Sequence, residues 1–153
     1  MVTSTTKDYW AREANDRLGH LLRSHASRAD SAVTTVYGHP IRCGENRRRA
    51  DRAIWIGHGA AFDPDNDTPA IAIEFVSESS RDRRRDYVDK RAEYAAAGVQ
   101  EYWVIDRFTR ELTVFRGDDV RVVFAEGAYE SPLLPGFVLT LAELLKHSDP
   151  RRP

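Results

Sequence analysis

The segment from Ala70 to Val76, Ala-Ile-Ala-Ile-Glu-Phe-Val, is apolar at every position except one, and it follows the turn-rich stretch Asp63 to Pro69. Ile71, Ile73 and Phe75 are expected on one side, with Ala70, Ala72 and Val76 on the other. A run apolar on both faces is the mark of a strand covered from above and below, so the chain is expected to build a layered α/β fold around it. Glu74 sits inside this run. A carboxylate there loses its hydration and must be protonated, paired or bound to a metal. A structural ion pair with an arginine, or a place at the strand end where Glu74 reaches solvent, would also satisfy it.

The remaining elements fit around that strand. Trp10, Ala14, Leu18, Leu21 and Leu22 recur at helical spacing, predicting an amphipathic helix over residues 7–26. Val33 to Tyr37 reads as a strand, with a short second one near Ile41, and Asp51 to Ile56 as the next. Ser79 or Ser80 is placed to cap a helix that runs to Ala97 and stops at Gly98. Glu101 to Ile105 is a further buried strand. Glu111 to Phe115 and Val120 to Phe124 form a hairpin, and Leu139 to Lys146 a terminal helix.

With 153 residues the chain is expected to be a single domain over residues 1–147 with a polar tail over 148–153. Cys43 is the only cysteine, which excludes an intrachain disulfide and thiolate zinc motifs and fits a reducing cytoplasm. The polar start lacks a signal peptide's apolar run, and no stretch reaches membrane-spanning length. The net charge of −1 is not that of a nucleic-acid coat protein, but positive charge is concentrated locally. Arg47, Arg48, Arg49 and Arg52 surround Asp51, while Arg81, Arg83, Arg84 and Arg85 follow Glu74.

Asp51, at the start of a strand, projects beside Glu74 if the two strands pair. Two such carboxylates suit a hard cation, since magnesium commonly takes one or two protein carboxylates and completes its shell with water and phosphate. Of the 23 basic side chains only Lys7, Lys90 and Lys146 are lysines. Lys90 shares a helix face with Asp86 and Tyr94, close to Tyr87, where its ammonium can orient a water or offset charge on phosphorus. Pairing with Asp86 at the surface is the plainer reading of the same spacing. Asp63, Asp65, Asp67 and Glu74 mimic a calcium loop, but Thr68 stands where its turn glycine belongs and the segment enters a strand. The histidines form no zinc-protease spacing and the serines no nucleophile elbow.

Ala70-Ile-Ala-Ile-Glu74-Phe-Val-Ser77, Asp86-x-x-x-Lys90-x-x-x-Tyr94, Gly98-Val-Gln-Glu-Tyr102-Trp103-Val-Ile-Asp106 and Leu134-Pro-Gly-Phe137 together resemble the Uma-type family of restriction endonuclease-like proteins. The resemblance implies the PD-(D/E)xK core, a mixed central sheet flanked by helices with a metal where two core strands diverge. It implies Asp51 and Glu74 as ligands of Mg2+ or Mn2+ and Lys90 as the lysine placed on the following helix. In the superfamily's usual spelling the lysine lies two residues after the glutamate, where this chain has Val76. Ala50 and Glu78 replace prolines of the family pattern.

Superfamily members often add an acidic ligand from the first helix, for which Glu13, with Asp16 behind it, is the candidate. Tyr94 would support Lys90 and Glu74, and Arg47, Arg48, Arg49, Arg52, Arg83 and Arg84 would contact a DNA backbone. The function expected is metal-dependent hydrolysis of DNA phosphodiesters. The alternative is a non-catalytic DNA-binding or regulatory module that keeps the nuclease fold. By analogy with nucleases that cut two strands, a homodimer is expected.

Overall fold

The computed structural model describes residues 9–29, 32–57, 59–80 and 84–147. Helix α1 spans Tyr9–Ala29 and is followed by β1, Val33–Tyr37; β2, Pro40–Cys43; β3, Asn46–Arg49; and β4, Arg52–Ile56. The apolar segment forms β5, Ile71–Phe75, succeeded by α2, Arg84–Ala97, and β6, Glu101–Asp106. The chain continues through β7, Glu111–Arg116; β8, Asp119–Phe124; β9, Ala128–Glu130; β10, Val138–Thr140; and α3, Leu141–Leu145.

Six strands form one sheet in the order β1-β4-β5-β6-β7-β8. Only β5 and β6 run parallel, as a crossover through α2 requires, and the other neighbours are antiparallel. Every residue of β5 is buried, as its two-sided apolar pattern demands. Ile71, Ile73 and Phe75 pack with Ala14, Leu18 and Leu22 of α1 and with α3, whereas Ala72 and Val76 pack with Tyr87 and Tyr94 of α2. Ala70 departs from the expected alternation and joins the α1 side, because it precedes the strand.

Two local expectations change, and a third meets residues outside those described. The basic stretch before Asp51 is the second arm of a hairpin, Pro40–Cys43 paired with Asn46–Arg49, closed by a Gly44-Glu45 turn with Gly44 at φ +64°. Leu139 belongs to β10, paired with Tyr129, so α3 starts later than the leucine spacing predicts. Ser79 and Ser80 lie in a turn, and the described part of α2 begins at Arg84. The polar tail from residue 148 lies outside the described residues. No helix among the described residues is long and apolar enough to cross a membrane.

Arg52 is a correction with consequences. It faces α1, is only 2% exposed, and donates to Asn15 Oδ1 at 2.6 Å and Thr35 Oγ1 at 3.0 Å. Burial, followed by the charge of Arg23, lowers its pKa to about 10. It is therefore a structural cation and not a DNA-backbone contact. Gly19 of α1 makes room for it: a Cβ there would stand 2.7 Å from Nη2 and 2.8 Å from Cζ. The guanidinium cannot step aside without breaking its bonds to Asn15 and Thr35. Gly19→Ala is thus expected to destabilise the fold, because overpacking costs about 1–3 kcal/mol and exceeds the gain of about 1 kcal/mol in helix propensity. A lowered urea midpoint will show it; an unchanged or raised midpoint would refute the close packing.

Candidate active site

The antiparallel ladder between β4 and β5 ends at the pair Arg52↔Ile73. Beyond it the strands part. The Phe75 N–H donates to Asp51 Oδ2 at 2.7 Å, so a side chain takes the place of a backbone acceptor. The carbonyl of Asp51 turns away and accepts from the Gly38 N–H at 3.0 Å and Asn15 Nδ2 at 2.9 Å. This fork holds the Asp51 carboxylate against the backbone of the residue next to Glu74.

Glu74 is 2% exposed and shares the α2 face of the sheet with Ala72 and Val76. Lys90 Nζ stands 3.5 Å from Glu74 Oε1, and the Tyr94 hydroxyl donates to the same oxygen at 3.4 Å. Both contacts are long for hydrogen bonds. Lys90 and Tyr94 meet one carboxylate because four residues make about one helical turn. Burial, and after it the charge of Glu74, pushes the Tyr94 hydroxyl far above its ordinary pKa, with Asp51 adding to the effect. Tyr94 therefore remains a neutral donor. Tyr102 is raised in the same way, by burial first and Glu74 second, and its buried hydroxyl has no hydrogen-bond partner among the described residues.

A hydroxyl cluster anchors the region below. Ser80 Oγ accepts from the Ser77 N–H at 2.9 Å, lies 2.8 Å from Ser77 Oγ and bonds the hydroxyl of buried Tyr87. The ammonium of Lys90 lies 5.3 Å from the centroid of the Tyr87 ring, within cation–π range. The end of β5 is thereby tied to the helix that carries Lys90. The spacing of Tyr87 to Lys90 hints at this arrangement, but nothing in the serine run does.

The donor set suits a hard cation. Asp51 and Glu74 offer carboxylate oxygens, and no group of three or more His, Cys, Asp or Glu residues forms a metal cluster among the described residues. Glu13 accordingly does not complete a three-carboxylate site. It lies on α1, across the sheet from Lys90, and pairs with Arg17 at 3.3 Å. Asp16 is exposed, and its charge acts on Arg52. Among the arginines, Arg48 is bound by Glu93 and Arg49 donates to the Gly38 carbonyl at 2.7 Å, while Arg47 is exposed. Arg83 lies outside the described residues, and Arg84 opens α2.

A mixed sheet covered on both faces, with a carboxylate pair where two core strands fork, defines a restriction endonuclease-like α/β protein of the nuclease class. The sequence profile of the Uma2 family, described as "Putative restriction endonuclease", matches residues 2–142, and the chain belongs to that family. Its fold is similar to the crystal structure of "a putative nuclease belonging to DUF820" from Anabaena variabilis ATCC 29413, with a TM-score of 0.74 at 12% identity. That similarity covers 97% of this chain and 87% of the other, and is one of fold. No protein with a curated description matches the chain in sequence.

Proposed function

We propose that this protein is a metal-dependent endonuclease that hydrolyses phosphodiester bonds of DNA. The observation that carries the reading is the meeting of Lys90 and Tyr94 on Glu74 at the fork between β4 and β5, where Asp51 is held against the backbone of the neighbouring Phe75. An ion pair serving stability alone does not require a second carboxylate beside it. Asp51 and Glu74 would hold Mg2+ or Mn2+. Such an ion, when bound, polarises the scissile phosphoryl group and makes a bound water more acidic.

The side chains supply the rest. Glu74 keeps Lys90 turned toward the sheet, and the ammonium offers donors for the attacking water or for the charge that develops on the phosphate oxygens. Tyr94 restrains the Glu74 carboxylate without competing for its charge. Lys90 reaches this place from α2, in sequence well removed from the position two residues after the glutamate that Val76 fills.

The test is cleavage of supercoiled plasmid and single-stranded DNA with Mg2+ or Mn2+, alongside calorimetric titration of the metal. We expect cutting that EDTA abolishes. Lys90→Ala is expected to cut at least a hundredfold more slowly, a loss typical of a positioned proton-handling or charge-stabilising group, with metal affinity retained. No cutting and no metal binding by the folded wild type would refute the reading and leave a non-catalytic module.

A further inference from the structure

The β2–β3 hairpin has two dissimilar faces. On the inner one, Ile41 is opposite Arg48 and Cys43 is opposite Asn46. Ile41 is buried, with Cys43 packed beside it, among residues that include Tyr87 and Tyr94 of α2. Arg48 makes a two-pronged bond to Glu93 of α2, with Nε at 2.5 Å and Nη2 at 2.7 Å. The hairpin is therefore clamped by one arginine to the helix that carries Lys90.

The outer face is different. Arg42 lies directly opposite Arg47, both are exposed, and neither forms an ion pair or hydrogen bond among the described residues. Two like charges facing each other across a strand pair destabilise a hairpin. Glu45 in the adjoining turn does not pair with either. Arg49 continues the same face two pairs further on, opposite Pro40, and from there the chain passes through Ala50 into Asp51.

We propose that this hairpin is a DNA-binding arm whose Arg42 and Arg47 take phosphates of a duplex backbone, with Arg48 holding the arm to α2. The proposal rests on the nuclease reading above and extends it. A two-stranded ribbon is narrow enough to follow a groove of B-form DNA, and arginine's planar fork suits phosphate oxygens. A phosphate backbone supplies the counter-charge that the opposed arginines lack within the protein. Arg52 is buried in the fold and Arg48 is bound by Glu93, so the unpaired charge of this region resides on the outer face. Of its residues, Arg42 is brought there only by the strand register.

The experiment measures binding of the full chain to a short DNA duplex by fluorescence anisotropy in EDTA, so that cleavage plays no part. Arg42→Gln/Arg47→Gln is compared with wild type and with Arg121→Gln, which removes a charge at the far edge of the sheet on β8. Losing two phosphate contacts should lower the slope of log Kobs against log salt by about 1.8, at about 0.9 per contact. Affinity should fall at least tenfold. Arg121→Gln should match wild type. Relief of the opposed charges should leave the urea midpoint of the double variant unchanged or higher, which separates lost binding from lost structure. Wild-type slope and affinity in the double variant would overturn the arm while leaving the nuclease reading standing. Failure of the wild type to bind DNA, duplex or single-stranded, would overturn both.

Discussion

Glu74→Gln is expected to fold as the wild type does and to cut DNA about a thousandfold more slowly or worse, a barrier increase of about 4 kcal/mol. The amide keeps the shape of the side chain and an oxygen for the Tyr94 hydroxyl. It loses the charge that would hold the cation and face Lys90. Metal ions contribute several kcal/mol to catalysis of this kind, so weakening their site should dominate any loss of the lysine contact. Stability should change little by comparison. Lys90 is partly exposed, so its head can turn to water when the carboxylate is gone. Two measurements are needed together: initial cleavage rates at saturating Mn2+, and a urea midpoint for each protein. A folded Glu74→Gln variant that cuts within tenfold of wild type would show that Glu74 serves only the structure.

The largest effect on stability is expected at a different carboxylate. Glu101 begins β6, is 0% exposed, and accepts four hydrogen bonds. Trp103 Nε1 and the Tyr129 hydroxyl each donate to Oε1 at 2.9 Å, while Ser131 Oγ at 2.8 Å and Arg116 Nη1 at 2.5 Å donate to Oε2. All four partners are donors. Burial, followed by the bond to Glu101, pushes the Tyr129 hydroxyl up to about 12, so it stays protonated and donating. This carboxylate joins β6 to its neighbour β7, to β9 and to the loop after β9. Glu101→Gln should therefore be almost as harmful as Glu101→Ala, because in either orientation its amide nitrogen would face a group that can only donate, the Trp103 indole or the Arg116 guanidinium. Leaving the buried partners Trp103, Tyr129 and Ser131 unsatisfied costs about 1–3 kcal/mol each, while Arg116 is partly exposed and can turn to water. We expect a loss of about 3–5 kcal/mol from either variant, a large share of the roughly 5–15 kcal/mol typical of a domain. Urea unfolding will measure it. A loss below about 1 kcal/mol in both variants would show that the network contributes nothing net.

The two buried glutamates look alike in sequence, since each lies in or at the start of an apolar strand. The structure separates them by their surroundings. Glu101 is saturated by four donors at short range, whereas Glu74 is approached by Lys90 and Tyr94 at 3.5 and 3.4 Å with a second carboxylate nearby. A strand pattern says that a carboxylate is buried. It does not say what faces it, because the partners of Glu101 come from β6, β7, β9 and the loop that follows.

Periodicity was enough to reveal the layered architecture, the central strand, the helix ending at Gly98 and the hairpin near the C-terminus, because burial repeats every two residues in a strand and about every 3.6 in a helix. It also singled out Glu74, as a charge placed where the pattern demands an apolar residue, and Lys90 with Tyr94, as neighbours one turn apart. Only the tertiary structure decided the fate of the arginines around Asp51. Arg52 goes inward beneath Gly19, Arg48 is taken by Glu93 far along the chain, and Arg42 arrives opposite Arg47 through strand register. A run of like charges carries no period that distinguishes inward from outward. Which face each side chain takes is set by where the strand pairs begin and by what lies across from them, and those are properties of the assembled sheet.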